Sequence, residues 1–226
     1  MTQESKPGRK RLRDTAAFPV LYMFAAMFIA SGILVGVSRL TAGRVDANRQ
    51  ILFEKAVLAA LDIMPGPSPR PAEIHRVFTE RVSPPAEATA GAYRLMDGDQ
   101  VVAYALPLEG QGFWDTIQGV VGVKADGMTL TGIAFHRQNE TPGLGAEIVK
   151  PGFRDQFRGL TVAGTGEPVR FRRPAAELEP GEIHAITGAT QTCTRLEKFL
   201  NEQISAWRSA MGFTVLAGQR PAGGAP

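Results

Sequence analysis

Residues 93–106 read YRLM-DGD-QVVAYAL, from Tyr93 to Leu106, and the fold class turns on how that stretch is read. Asp97-Gly98-Asp99 is a turn signal, because glycine reaches positive φ without a steric penalty and aspartate bonds its own backbone in turns. The runs on either side are rich in Tyr, Val and Leu, the composition of strands. The pattern returns at Gly119–Lys124, Asp126-Gly127 and Thr129–His136. Strands joined by so short a turn pair antiparallel.

Further along, residues 151–158 predict a short helix and 168–173 (PVRFRR) a strand. Arg195 to Met211 carries Leu196, Phe199, Leu200, Ile204 and Trp207 at i, i+3, i+4 spacing, a helix with one apolar stripe to lay on a sheet. The expected fold is therefore α+β, with a mainly antiparallel sheet and packed helices.

Toward the N-terminus, a short helix is expected over Glu73–Arg81, ahead of the Pro84-Pro85 break. Residues 44–63 have apolar positions at roughly helical spacing, and the prolines of Pro65–Pro69 stop that helix. Between Thr15 and Ser38 lie 24 residues without a charge, enough to span a hydrocarbon core at 1.5 Å per residue. Lys6, Arg9, Lys10, Arg11 and Arg13 precede them, which predicts a cytoplasmic N-terminus and everything past Arg39 outside. A cleaved signal peptide would have an apolar core of only about 7–15 residues, so a retained anchor is the preferred reading. The organisation expected is a basic tail (1–14), a transmembrane helix (15–38), a membrane-proximal helical region (39–89), a cofactor domain (90–211) and a disordered tail (212–226).

Charge distribution excludes one class of function. The net charge of +3 sits within residues 1–14, and the rest of the chain holds 20 basic and 20 acidic side chains. A neutral body offers no basic face for nucleic acid. Cys193 is the single cysteine, so no internal disulfide, cysteine-rich zinc site or iron–sulfur site can form. It reads either as a nucleophile or, by preference, as a small side chain packed beneath a turn.

Two motifs carry the chemistry. Thr187-Gly188-Ala189-Thr190 is a small-residue turn followed by Gln191-Thr192-Cys193-Thr194 and the final helix, whose start is expected near Arg195 with Thr192 or Thr194 as cap. Free N–H groups at a helix start welcome a phosphate, and the hydroxyls are candidate attachment points. The second motif is Glu140-Thr141-Pro142-Gly143-Leu144-Gly145, just after the strand ending at Phe135-His136. Its proline and glycines make a stiff loop able to set backbone amides and Leu144 against a flat aromatic ring.

A strand ending in ETPGLG and a later TGAT turn resemble the FMN-binding domain of the membrane electron-transfer subunits RnfG and NqrC, over most of residues 90–205. The resemblance implies FMN held through its phosphate on the last threonine of the turn, Thr190, by a separate flavin transferase. It implies Thr187, Gly188, Ala189 and Thr192 around the phosphate, and Glu140, Thr141, Gly143 and Leu144 near the flavin or its ribityl chain. No catalytic residue and no metal are expected. The chain length points to an Rnf-type ion-translocating complex; the NqrC subunit of a Na⁺-translocating NADH:quinone reductase, or a membrane-bound FMN sensor, is the alternative. Partners would be integral-membrane subunits. Two positions depart from the family pattern: His184 stands where an aspartate is usual, and Cys193 where Ser or Thr is common.

Overall fold

The computed structural model describes residues 17–164 and 166–213. The expected basic tail and most of the C-terminal tail lie outside them. The chain divides into two units, residues 1–49 and 50–226.

Helix α1 (Ala17–Ala60) is continuous, where a membrane span and a separate following helix were expected. No proline falls between Pro19 and Pro65 to interrupt it. In the first unit its large apolar side chains from Val20 to Leu40 are exposed, and its mean hydropathy reaches 2.3. It is long and apolar enough to cross a membrane.

The second unit is built on a five-stranded antiparallel sheet in simple sequential order: β1 (Val82–Ser83), β2 (Tyr93–Asp97), β3 (Gln100–Gln111), β4 (Thr116–Lys124) and β5 (Leu130–Arg137). The expected hairpins are both present, with Asp97 opposite Gln100 and Val123 opposite Leu130. Because side chains alternate along a strand, the sheet feeds two cores. On one face Leu106, Leu108, Val121 and Ile133 pack with helix α4 (Thr190–Ala210), chiefly Leu196, Phe199, Leu200, Ile204 and Trp207. Phe153 of the short helix α3 (Pro151–Arg154) and Phe157 complete that core. On the other face Ala103, Ala105, Val120 and Ala134 pack with Val57, Leu58 and Leu61 at the end of α1 and with Ile74 of helix α2 (Pro71–Arg81). Each Val, Leu, Ile or Phe among them contributes about 1.5–3 kcal/mol on full burial.

A small parallel pair, β6 (Arg170–Arg172) and β7 (Glu182–His184), lies apart from the main sheet. β6 was expected; β7 is too short and too polar to show a strand period. Its Glu182 is buried and accepts Arg172 Nε at 2.7 Å. Helix α4 begins at Thr190, not near Arg195. The buried stripe starts earlier than its large residues suggest, since Thr192 and Cys193 stand one turn before Leu196 and are buried with it.

Candidate functional site

The start of α4 is the centre of the site. Gly188 has φ +78°, a conformation glycine adopts freely, and Ala189 is the last non-helical residue. No side chain caps the helix. Thr190, its first residue, is exposed. The first-turn N–H groups and the positive end of the helix dipole therefore open beside a free hydroxyl.

The ETPGLG loop closes over this helix start. Leu144 Cδ2 lies 2.9 Å from where a Gly188 side chain would begin, so the two segments approach closely there. Gly145 is buried, and a methyl group there would strike the Thr192 hydroxyl. That hydroxyl donates to Glu140 Oε2 at 2.7 Å, across 52 residues of sequence. Thr141 Oγ1 accepts the indole N–H of Trp114 at 2.9 Å.

Between loop and helix lies a cavity of about 170 Å³, lined by Phe113, Glu140, Thr141, Leu144, Gly145 and residues 188–192. Seven of the nine expected site residues meet there: Thr190, Gly188, Ala189, Thr192, Glu140, Thr141 and Leu144. Gly143 and Thr187 instead face a neighbouring open cleft of about 800 Å³, with Lys150, Phe153 and His184. Thr187 and Thr190 also border a third opening of about 590 Å³, beside Phe171, Arg172 and Cys193. Thr192 lines the cavity, but its hydroxyl is committed to Glu140, so its contribution to an anion is the backbone N–H.

The loop between β3 and β4 supplies residues that the motif reading left unassigned. Phe113 and Trp114 are exposed at the cavity mouth, their rings 5.2 Å apart, and the Arg195 guanidinium stands 6.0 Å from the Phe113 ring centre. Arg195 Nη1 also donates to the Gly112 carbonyl at 3.0 Å. The signal was visible in the sequence as glycines followed by two aromatics, but nothing local placed it beside Thr190.

The two departures from the family pattern have structural roles. Cys193 is buried under the turn and its Sγ accepts the Ile186 N–H at 3.4 Å. Burial pushes its thiol up, the reverse of what a nucleophile needs. His184 exchanges backbone hydrogen bonds with the Gln156 amide, and its Nε2 lies 3.0 Å from the Ala176 carbonyl. It buttresses the strand leading into the turn.

This combination fits a phosphate-bearing cofactor. A glycine-led, uncapped helix start binds an anion, and apolar side chains stand beside it. The cavity is smaller than the roughly 300–1,000 Å³ of a whole cofactor site, so it suits the phosphate end, with the open clefts alongside for the remainder. The fold and site thus define a cofactor-binding α+β domain.

Residues 112–205 match the FMN-binding domain family. Its cofactor is FMN. Over 125 residues the chain is 30% identical to the NqrC subunit of the Na⁺-translocating NADH-quinone reductase of Vibrio alginolyticus, covering 55% of this chain and 48% of that one. The corresponding subunit of Pasteurella multocida is 34% identical over 130 residues, covering 56% and 48%. The chain spans about half the length of these curated relatives. The crystal structure of the same subunit from Parabacteroides distasonis shares the fold with a TM-score of 0.63 at 21% identity, over 80% of this chain and 98% of that one. NqrC of Shewanella oneidensis does so at 0.57 and 18%, over 74% and 99%. These relatives favour the Nqr-type alternative over the Rnf-type assembly expected from chain length.

Proposed function

We propose that the chain is a membrane-anchored electron-transfer subunit of the NqrC type, carrying FMN in phosphoester linkage to Thr190. The observation that carries this reading is the exposed Thr190 hydroxyl at an uncapped, glycine-led helix start, in one cavity with the Glu140–Gly145 loop. The flavin supplies the redox chemistry. The chain's own residues do the holding. The first-turn N–H groups of α4 receive the phosphate, with Gly188 and Ala189 admitting it closely. Phe113, Trp114 and Leu144 give the aromatic ring an apolar border that sheds water. Thr187 and Gly143 line the approach from the wider cleft.

The apolar part of α1 anchors the chain, with the basic residues before it on the cytoplasmic side and the FMN domain outside. A covalent tether suits that compartment, where a cofactor lost to bulk water is not readily replaced. Partners are integral-membrane subunits of an electron-transport complex and, for maturation, a flavin transferase. Coupling to Na⁺ belongs to those partners, because residues 15–38 contain no Asp, Glu, Lys, Arg or His from which to build an ion path.

The test is the full chain produced beside a flavin transferase. Wild type gains the mass of one FMN less one water and fluoresces on a denaturing gel. Thr190→Val keeps the shape and removes the acceptor oxygen; fluorescence that survived it would place the tether elsewhere.

A further inference from the structure

Glu140 is only 4% exposed, at the meeting point of three segments. Its Oε1 accepts the backbone N–H of Trp114 at 3.0 Å, from the loop between β3 and β4. Its Oε2 accepts the Thr192 hydroxyl at 2.7 Å, in the first turn of α4. Two glycines make room for this bridge. A methyl group at Gly112 would strike Oε1, and one at Gly145 would stand 2.8 Å from Oε2. The backbone of the Glu140 loop is itself steadied by Gln138, whose Oε1 accepts the Glu140 N–H at 2.7 Å.

We propose that Glu140 is a positioning residue and not a ligand of the cofactor: it staples the first turn of α4 to the loops that wall the cavity, and so sets where Thr190 presents its hydroxyl. The proposal rests on Thr190 being the tether. Its physical basis is that both carboxylate oxygens are spent on protein donors, while Thr192, two residues beyond Thr190, cannot move without carrying Thr190 with it. A bridge of this kind depends on reach more than on charge. Glutamine retains the reach, its Oε1 accepting from Trp114 and its Nε2 donating to the Thr192 oxygen. Aspartate retains the charge but is one methylene short of spanning both donors.

The experiment compares E140Q, E140D, E140A and T192V in the full chain beside a flavin transferase, reading covalent flavin per polypeptide. E140Q should load as wild type. E140D, E140A and T192V should each fall about tenfold or more, as donors or acceptors left unpaired in a buried site loosen the turn. The double variant E140A/T192V should be no worse than either single one, because both remove the same bridge. On flavin-free chain in detergent, hydrogen exchange at the Cys193 and Thr194 amides, which make the first bonds of α4, should quicken in E140D and T192V and not in E140Q. If E140D loads normally and E140Q does not, charge and not the bridge is what matters, and the proposal fails. It fails equally if the two single losses multiply in the double variant, or if the Cys193 amide is unchanged in T192V. A wild-type chain that never takes up flavin would overturn the tether reading, while the exchange pattern would still decide the role of Glu140.

Discussion

Two helix ends in the second unit are finished in opposite ways. At the C-terminus of α1 the carbonyls are closed off by protein. Ala60 O accepts the Thr131 hydroxyl at 2.6 Å, Leu58 O accepts the Ile63 N–H at 3.0 Å, and Asp62 takes the left-handed conformation (φ +58°) that reverses the chain. Gly122 and Gly132 lie against that carbonyl, with no space left for a side chain at Gly122. At the N-terminus of α4 the arrangement is reversed: no side chain caps the helix and Thr190 is exposed. A terminus satisfied by its own protein is there for stability. One left open beside a hydroxyl and a cavity keeps its N–H groups free to meet a ligand.

That contrast can be broken by substitution at each end. The largest effect is functional and confined to the open end. Thr190→Val should abolish covalent flavin while changing unfolding free energy by less than about 0.5 kcal/mol, as for other exposed sites; a large fall in Tm would mean that Thr190 helps hold the fold. Gly122→Ala should do the converse. Its methyl group collides with the Ala60 carbonyl and the Thr131 hydroxyl, neither at the end of a flexible side chain, so a loss of about 3 kcal/mol is expected in urea unfolding. A variant as stable as wild type would show that the α1 terminus is free to shift. Thr131→Val removes only the closing hydroxyl and should cost about 1 kcal/mol, with flavin loading intact.

The smallest effect concerns acid and the strand leading into the open turn. Hydrogen bonding to Arg172 holds the Glu182 carboxyl below the usual carboxylate range. Its folded pKa is thus lower than its unfolded one, so the pair adds stability above about pH 4 and loses it as pH falls through the folded value. The β7 amides should exchange faster in that acid range in wild type, and already at neutral pH in Glu182→Gln. Arg172 is 45% exposed, so the difference should shrink in salt. A salt-independent effect would point to packing instead.

Much of this molecule was legible in local patterns. The Asp97-Gly98-Asp99 and Asp126-Gly127 turns, the stripe from Leu196 to Trp207 and the uncharged run from Thr15 to Ser38 each depend on neighbours within a few residues. The strands, α4 and the apolar helix are found where those patterns put them, apart from the earlier start of α4 and the unbroken course of α1. The Thr187–Thr190 turn and the ETPGLG loop were legible as turns for a similar reason, since glycine and proline chemistry acts on the adjacent backbone, whereas the choice of Thr190 among the hydroxyls came from the family resemblance. β7 was not legible, because a strand of Glu182, Ile183 and His184 exists only through its partner β6 and the Arg172 contact.

The tertiary structure alone decided which of the site's side chains are bonded to protein and which are exposed. Apart from the family resemblance, the residue pattern presents Glu140, Thr192 and Thr190 only as polar side chains near two turns. Burial separates them, turning Glu140 and Thr192 toward each other and leaving Thr190 facing out. Likewise Phe113 and Trp114 gain their place at the cavity only because β3 and β4 end beside α4. Turns and periods are set by interactions along the chain, whereas a cavity and the commitment of a hydroxyl are set by groups brought together from 52 residues apart.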